Sequence, residues 1–65
     1  MKGVYKHYKG NLYEVLGIAI HTETNEEMVV YKALYSKEQL FVRPKKMFEE
    51  KIKVNGELTP RFLQV

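Results

Sequence analysis

The side chains whose types could do chemistry are two histidines, two arginines and five tyrosines, in a chain of 65 residues. His21 and Glu23 lie two positions apart, so a strand running through them would present both on one face. With His7 they could supply three ligands to zinc. Alternatively, His21 bonds a backbone carbonyl at a strand end and Glu23 bonds turn amides. We favour the second interpretation because no further ligand is apparent, and we predict no metal and no cofactor.

Arg43 and Arg61 each neighbour a proline at a predicted strand end, where the backbone is stiff. A planar guanidinium binds carboxylate or phosphate through two parallel hydrogen bonds, so the two arginines could clamp an anion. The alternative is that each pairs with a glutamate of the chain. We favour this alternative for Arg61, with Glu50 as its partner, and leave both interpretations open for Arg43.

The five tyrosines, in a chain without tryptophan, are the best indication of function. Buried hydroxyls need hydrogen-bond partners, so several of these rings should present their tips at the surface. Tyr31 and Tyr35 fall on one row of a predicted strand and could form a platform for bases or a peptide. The alternative is a mixed core of tyrosine, valine and leucine whose hydroxyls reach water at its rim.

The composition excludes several kinds of catalytic site. The chain has no cysteine and no aspartate, and Ser36 is its one serine. A thiolate zinc site, a Ser-His-Asp triad and a pair of aspartates therefore cannot be assembled from this chain alone. We predict that it is not an enzyme. A net charge of +3 and a pI near 9.2 permit binding to polyanions without demanding it.

The sequence also predicts where in the cell the domain is found. Its longest apolar run, residues 16–20, is far shorter than a membrane span, and residues 1–5 lack the apolar segment of a signal peptide. The missing cysteines fit a reducing compartment. We expect one cytoplasmic domain over residues 1–65, without membrane contact.

The strand that organises the fold is predicted at residues 28–35, the densest run of β-branched and aromatic residues. Val29, Tyr31, Ala33 and Tyr35 form one row without a charge, whereas Lys32 interrupts the other row. The sequence does not decide which row faces the core.

The other predicted elements are short. Alternation indicates strands at 4–8, 12–21 and 40–43, with polar connections at 22–26 and 36–39. Both rows of 12–21 are largely apolar, so Gly17 should mark a bulge or bend. Pro44 ends a strand and can begin a helical turn in which Met47 and Phe48 plug the core. Together these elements predict an all-β fold, a small five-stranded SH3-like partly open barrel with one short helical or 3₁₀ turn near residues 44–50.

Asn55-Gly56 is the clearest hairpin signal in the chain. A two-residue loop there would place Val54 opposite Glu57. The same register would bring Glu50 opposite Arg61, where the two could form a cross-strand ion pair.

Segments spread over nearly the whole chain resemble domain-of-unknown-function family 1653. They are residues 3–11 (GVYKHYKGN), 13–17 (YEVLG), 19–24 (AIHTET), 29–31 (VVY), 34–35 (LY), 42–44 (VRP), 47–48 (MF), Gly56 and 60–62 (PRF). The resemblance implies a small bacterial domain of no established activity, found alone or attached to other domains. Lys32 and Ile20 depart from it, since arginine or another polar residue is expected there more often.

Three classes of function remain at the level of sequence. The first is a non-catalytic module that contacts nucleic acid or protein through a tyrosine-rich, mildly basic surface around Tyr31 and Tyr35. The second is a regulatory domain that binds a small molecule or anion through His21, Glu23, Arg43 and Arg61. The third, acid–base catalysis by His21 and Glu23, is the least supported because no nucleophile accompanies them. We expect a monomer or a weak homodimer.

Overall fold

The computed structural model describes residues 1–36 and 39–65, and these form seven strands and one short helix. The predicted connection at 36–39 falls partly on Lys37 and Glu38, which lie outside the described residues. In chain order the elements are β1 (Gly3–His7), β2 (Leu12–Ile20), β3 (Glu27–Ala33), β4 (Leu40–Pro44), α1 (Lys45–Phe48), β5 (Lys51–Val54), β6 (Glu57–Pro60) and β7 (Phe62–Gln64).

The strands form a five-stranded antiparallel sheet, ordered β4-β3-β2-β1-β7, and a separate β5-β6 hairpin. The mostly β prediction is therefore confirmed. The chain bends at Arg61, so the segment after Asn55-Gly56 forms two strands, β6 and β7. Proline lacks a backbone N–H, so Pro60 ends the hairpin ladder, and the Arg61 N–H donates to the Glu50 carbonyl 3.0 Å away.

The predicted irregularity at Gly17 is present in β2. Val15 pairs with Tyr31 and Gly17 pairs with Val30, so Leu16 is the extra residue of a β-bulge. The bulge shifts the alternation by one position. Val15 faces the core before the bulge and Ile18 packs against the core after it, which explains why both rows of this strand are largely apolar.

The core lies on one side of the sheet, called here the inner face. The uncharged row of β3 points inward, since Val29, Tyr31 and Ala33 are buried. β3 ends at Ala33, and Tyr35 follows in a turn with 66% of its surface exposed. The structure thus decides the orientation of this strand, which the sequence left open.

Helix α1 closes the inner face through Phe48, whose ring stacks on that of Phe62 with centroids 4.0 Å apart. Phe48 is 1% exposed, so its predicted role as a plug is confirmed. Met47 is wrongly predicted to share this role, because one turn of helix can turn only one of two adjacent side chains inward. The Met47 side chain is exposed, and its carbonyl accepts a hydrogen bond from Arg61.

No helix in the described part of the chain is long and apolar enough to cross a membrane.

Candidate anion-binding site

The inner face holds a group of aromatic rings with Tyr31 at its centre. The Tyr31 ring lies edge-on to Tyr13, Phe48 and Phe62, with centroids 5.5, 5.5 and 5.6 Å away. Only 6% of Tyr31 is exposed. A platform of Tyr31 beside Tyr35 is therefore not formed, because Tyr31 is a core ring and Tyr35 lies beyond the end of the strand.

The hydroxyl of Tyr31 accepts a hydrogen bond from Arg43 Nε at 3.4 Å. Arg43 is half-buried on β4, and its guanidinium carbon lies 5.8 Å from the centre of the Phe62 ring. The ion pairs among residues 1–36 and 39–65 are Glu14–Lys32 and Glu50–Arg61, and neither includes Arg43. The Arg43 bond to Tyr31 uses Nε, and no hydrogen bond between the described residues uses either Nη group, so both can donate to a ligand.

His7 lies on β1 beside the same rings, with its ring centroid 4.9 Å from that of Phe62. Its Nδ1 accepts the backbone N–H of Lys9 at 3.2 Å, which assigns the proton of the neutral ring to Nε2. Burial lowers the pKa of His7, and the charges of Arg43, Lys9 and Arg61 lower that pKa further. Every charge that acts on this pKa is positive, so the surroundings of His7 favour an anion.

Two exposed tyrosines border this positive region. Tyr8 follows His7 directly, and Lys9 Nζ lies 5.8 Å from the centre of the Tyr8 ring. Tyr35 contacts Tyr13, with ring centroids 6.1 Å apart. Hydrogen bonding to Tyr35, and then burial, raises the pKa of Tyr13 above its ordinary value of 10.0.

We use the term His7 site for this group of residues on and beside the inner face: His7, Tyr8, Lys9, Tyr13, Tyr35 and Arg43. A cleft of about 180 Å³ borders it and is lined by Lys6, His7, Tyr8, Thr59, Pro60 and Leu63. A larger, open hollow of about 590 Å³ is lined by Thr24, Asn25, Glu26, Glu27, Lys45, Lys46 and Glu49. We do not assign the ligand to the larger hollow, because its three glutamates outnumber its two lysines and it contains no aromatic ring.

Arg61 forms the ion pair with Glu50 that the hairpin register predicts, with Nη2 and Oε1 2.9 Å apart. Its Nε donates to the Met47 carbonyl at 3.1 Å. Arg61 thus ties the base of the hairpin to α1. Its charge acts on His7 from a distance, but its Nε and one Nη2 donor are occupied within the chain.

His21 and Glu23 are exposed in the loop between β2 and β3. The His21 Nδ1 accepts the Glu23 backbone N–H at 3.2 Å, and the His21 carbonyl accepts the Asn25 N–H at 2.7 Å. These contacts close a turn. In the part of the chain that the structure describes, neither side chain bonds to Arg43 or Arg61, and no group of three potential metal ligands is formed. The four-residue anion site predicted from the sequence is therefore divided, with Arg43 in the His7 site and the loop pair apart from it.

The fold and the inner face together define a small antiparallel β domain with a basic, aromatic site. The family model described as "Protein of unknown function (DUF1653)" matches residues 3–64, and the chain belongs to this family. It is similar to the crystal structure of a DUF1653 protein from Bordetella bronchiseptica, with 37% identity and a TM-score of 0.89. That likeness covers 100% of this chain and 86% of the other. No curated protein matches the chain.

Sequence reasoning weighed His7 only as a third zinc ligand and did not assign Tyr13 or Lys9 to a site. The turn at residues 9–11 carries part of the missing signal, since a hairpin there places His7 and Tyr13 on one face. The contact of His7 with Phe62 depends on the pairing of β1 with β7. Strands so far apart in the chain leave no local pattern from which to predict their pairing.

Proposed function

We propose that the chain is a non-catalytic binding module that holds single-stranded nucleic acid at the His7 site. The observation that carries this proposal is the placement of Arg43, with two Nη groups as donors, among aromatic rings and beside His7. Exposed tyrosine rings border the same region, and basic charge next to stacking surfaces is the usual arrangement for single strands.

In this proposal, charged and hydrogen-bonding side chains hold the phosphates, and aromatic rings hold the bases. Arg43 would hold a phosphate through its two Nη groups, with Lys9 as a second cation. His7 Nε2–H would donate a further hydrogen bond. Unpaired bases would stack on Tyr8 and Tyr35, where each stacked base contributes about 1–3 kcal/mol.

The test is a ¹H–¹⁵N NMR titration with a short single-stranded RNA of mixed sequence, at low and moderate salt. We expect shifts to cluster at Lys9, Tyr35 and Arg43 and to weaken as salt rises. Arg43→Gln should weaken binding about tenfold or more, because it removes a charged hydrogen-bond donor. It should also lower the magnitude of the salt slope by about one.

The matched control is Lys46→Gln, which removes the same charge from the exposed surface of α1. Equal weakening by Arg43→Gln and Lys46→Gln would show that only net charge matters and would contradict the site. Tyr35→Phe should bind as the unchanged chain does, whereas Tyr35→Ala should lose one stacking surface. A titration without shifts would remove the nucleic-acid proposal.

A second candidate is a regulatory site for a small phosphorylated ligand. It is favoured by the joint effect of Arg43 and Arg61 on the pKa of His7. Inorganic phosphate separates the two candidates. A phosphate-induced rise in the pKa of His7, with no response to the oligonucleotide, would select the small-anion site.

We propose the SH3-like, partly open barrel as the finer description of the fold. The bend of β2 at its bulge and the return of β7 to the side of β1 support it. Cytoplasmic location stays a prediction, as does a protein partner in place of nucleic acid.

A further inference from the structure

The side of the sheet opposite the core, called here the outer face, is largely apolar. Its cross-strand rows follow from the register: Val42 lies opposite Val30, which lies opposite Gly17, and Leu40 lies opposite Lys32, which lies opposite Glu14. Further apolar members are Val4, Leu12, Leu16, Ala19, Met28, Pro44, Leu63 and Val65.

No element in the described part of the chain covers this face. Leu40, Val42 and Leu63 are each exposed by about three-fifths of their surface, at 64%, 61% and 60%. Helix α1 and Phe48 lie over the inner face instead. A sheet whose two sides are both apolar is stable against water only when both are covered.

The chain also exposes more surface than a compact monomer of its size. A compact monomer of 7.7 kDa exposes about 4,300 Å². This chain exposes 4842 Å² and measures 37 × 27 × 16 Å. Its radius of gyration is 12.2 Å, against about 10.7 Å for a compact domain of this length.

The charges on the outer face are nearly self-neutral. Lys32 Nζ lies 3.6 Å from Glu14 Oε1 within the apolar rows, and Lys6 lies toward the β7 edge. One acid and two bases leave these three side chains with a net charge of about +1, which gives the face little charge with which to select a polyanion. A two-fold axis that runs between Lys32 and Glu14, parallel to the strands, would set Lys32 of one copy against Glu14 of the other, so the face can match an identical face.

We propose that the outer face is covered by the outer face of a second copy of this chain. The two sheets pack face to face about 10 Å apart, as the two layers of a β-sandwich do. His7 and Arg43 of the His7 site pair with Phe62 and Val29 on the inner face, so the dimer leaves these two side chains of each copy open and does not depend on the proposed ligand.

The size of the face sets the strength of the dimer. Five strands about 4.8 Å apart and about six residues long cover roughly 400 Å² in projection. Two such faces bury about 1,000 Å² of accessible surface, near the lower limit for a specific interface. We therefore expect a weak dimer, with a dissociation constant between about 1 μM and 1 mM.

Sedimentation equilibrium from about 1 μM to about 1 mM covers that range. The unchanged chain should pass from monomer toward dimer. Val42→Glu should weaken dimerisation at least about a hundredfold, since it would bury an unpaired charge in the apolar interface. The matched control is Leu58→Glu, because Leu58 is 68% exposed on β6 and lies outside the outer face. It should dimerise as the unchanged chain does.

An exchange of charges tests the two-fold arrangement itself. Glu14→Lys alone and Lys32→Glu alone should each remain monomeric, because each copy then carries two like charges at the centre of the face. An equimolar mixture of the two variants should form a heterodimer. Circular dichroism of each variant shows that it is folded, and the mixture keeps the test valid if Val42→Glu does not fold.

A monomer throughout the concentration range would overturn the proposal and leave the face to a different partner. Dimers that survive Val42→Glu, or that Leu58→Glu disrupts, would overturn it as well, because the interface would then lie elsewhere. A mixture of the charge variants that stays monomeric would contradict the two-fold pairing of Lys32 with Glu14.

Discussion

Tyr31 belongs both to the core and to the candidate site. Its ring is buried among other aromatic rings, while its hydroxyl accepts the hydrogen bond of Arg43. The position of Arg43 is therefore held by a residue whose own rotamer is fixed by packing. A surface with this support would offer its donors to a ligand with little loss of side-chain entropy.

The lowered pKa of His7 makes the stability of the folded chain depend on pH. The folded chain holds the pKa of His7 below the ordinary value of 6.5, through burial first and neighbouring cations second. As pH falls through that value, the unfolded chain binds a proton that the folded chain resists, so stability is lost toward acid. His7→Gln should lose less stability than the unchanged chain between about pH 7.5 and about pH 5, in urea denaturation at each pH.

The control for this experiment is His21→Gln, because His21 is the other histidine and lies in an exposed loop. Its stability should follow pH as that of the unchanged chain does. An identical pH dependence of His7→Gln and the unchanged chain would show that His7 does not contribute to acid sensitivity.

Two elements of the fold contain a glycine at an irregular position. Gly17 lies in the bulge of β2, and Gly56 lies in the turn of the β5-β6 hairpin. The dihedral angle φ of Gly56 is +81° and that of Asn55 is 52°, so both turn residues are left-handed. Gly17 does not adopt such a φ, and an added Cβ at Gly17 would meet no atom within 4 Å. The two glycines therefore differ in what they contribute.

Substitution by alanine should separate the two glycines. Gly56→Ala should destabilise the hairpin by about 1–2 kcal/mol, since an L-residue pays that cost in the left-handed region. Gly17→Ala should be neutral or stabilise the chain by up to about 1 kcal/mol, because it reduces the freedom of the unfolded state. Urea denaturation measures the global effect, and amide exchange of β5 and β6 measures the local one. A loss of stability in Gly17→Ala would show that the bulge itself needs glycine.

The sequence predicts elements better than it predicts their partners. Alternation and turn residues identify β1, β2, the bulge and the Asn55-Gly56 turn, because these depend on neighbours in the chain. The Glu50–Arg61 pair follows from the same local register. The inward direction of Tyr31 and the pairing of β7 with β1 depend on contacts between distant segments, so no local pattern predicts them. For this reason the predicted tyrosine platform fails, although the prediction that residue 43 is a candidate anion ligand still stands as a proposal.

For the whole molecule, the proposed dimer makes thermal stability depend on protein concentration. If two outer faces associate, folding and dimerisation share their free energy, and the melting temperature rises with protein concentration. We expect a rise of a few degrees across the range in which the dimer forms, measured by scanning calorimetry. Val42→Glu should melt at a temperature independent of concentration. A constant melting temperature for the unchanged chain would contradict a dimer in this range.

The bulge in β2 has a consequence for how this chain can vary among its relatives. Because Leu16 shifts the alternation by one position, Val15 and Ile18 both face the core, although they are three residues apart. Loss of that single residue would exchange inward and outward side chains over the rest of the strand. We therefore expect relatives to differ in residue types along β2 far more often than in the number of its residues.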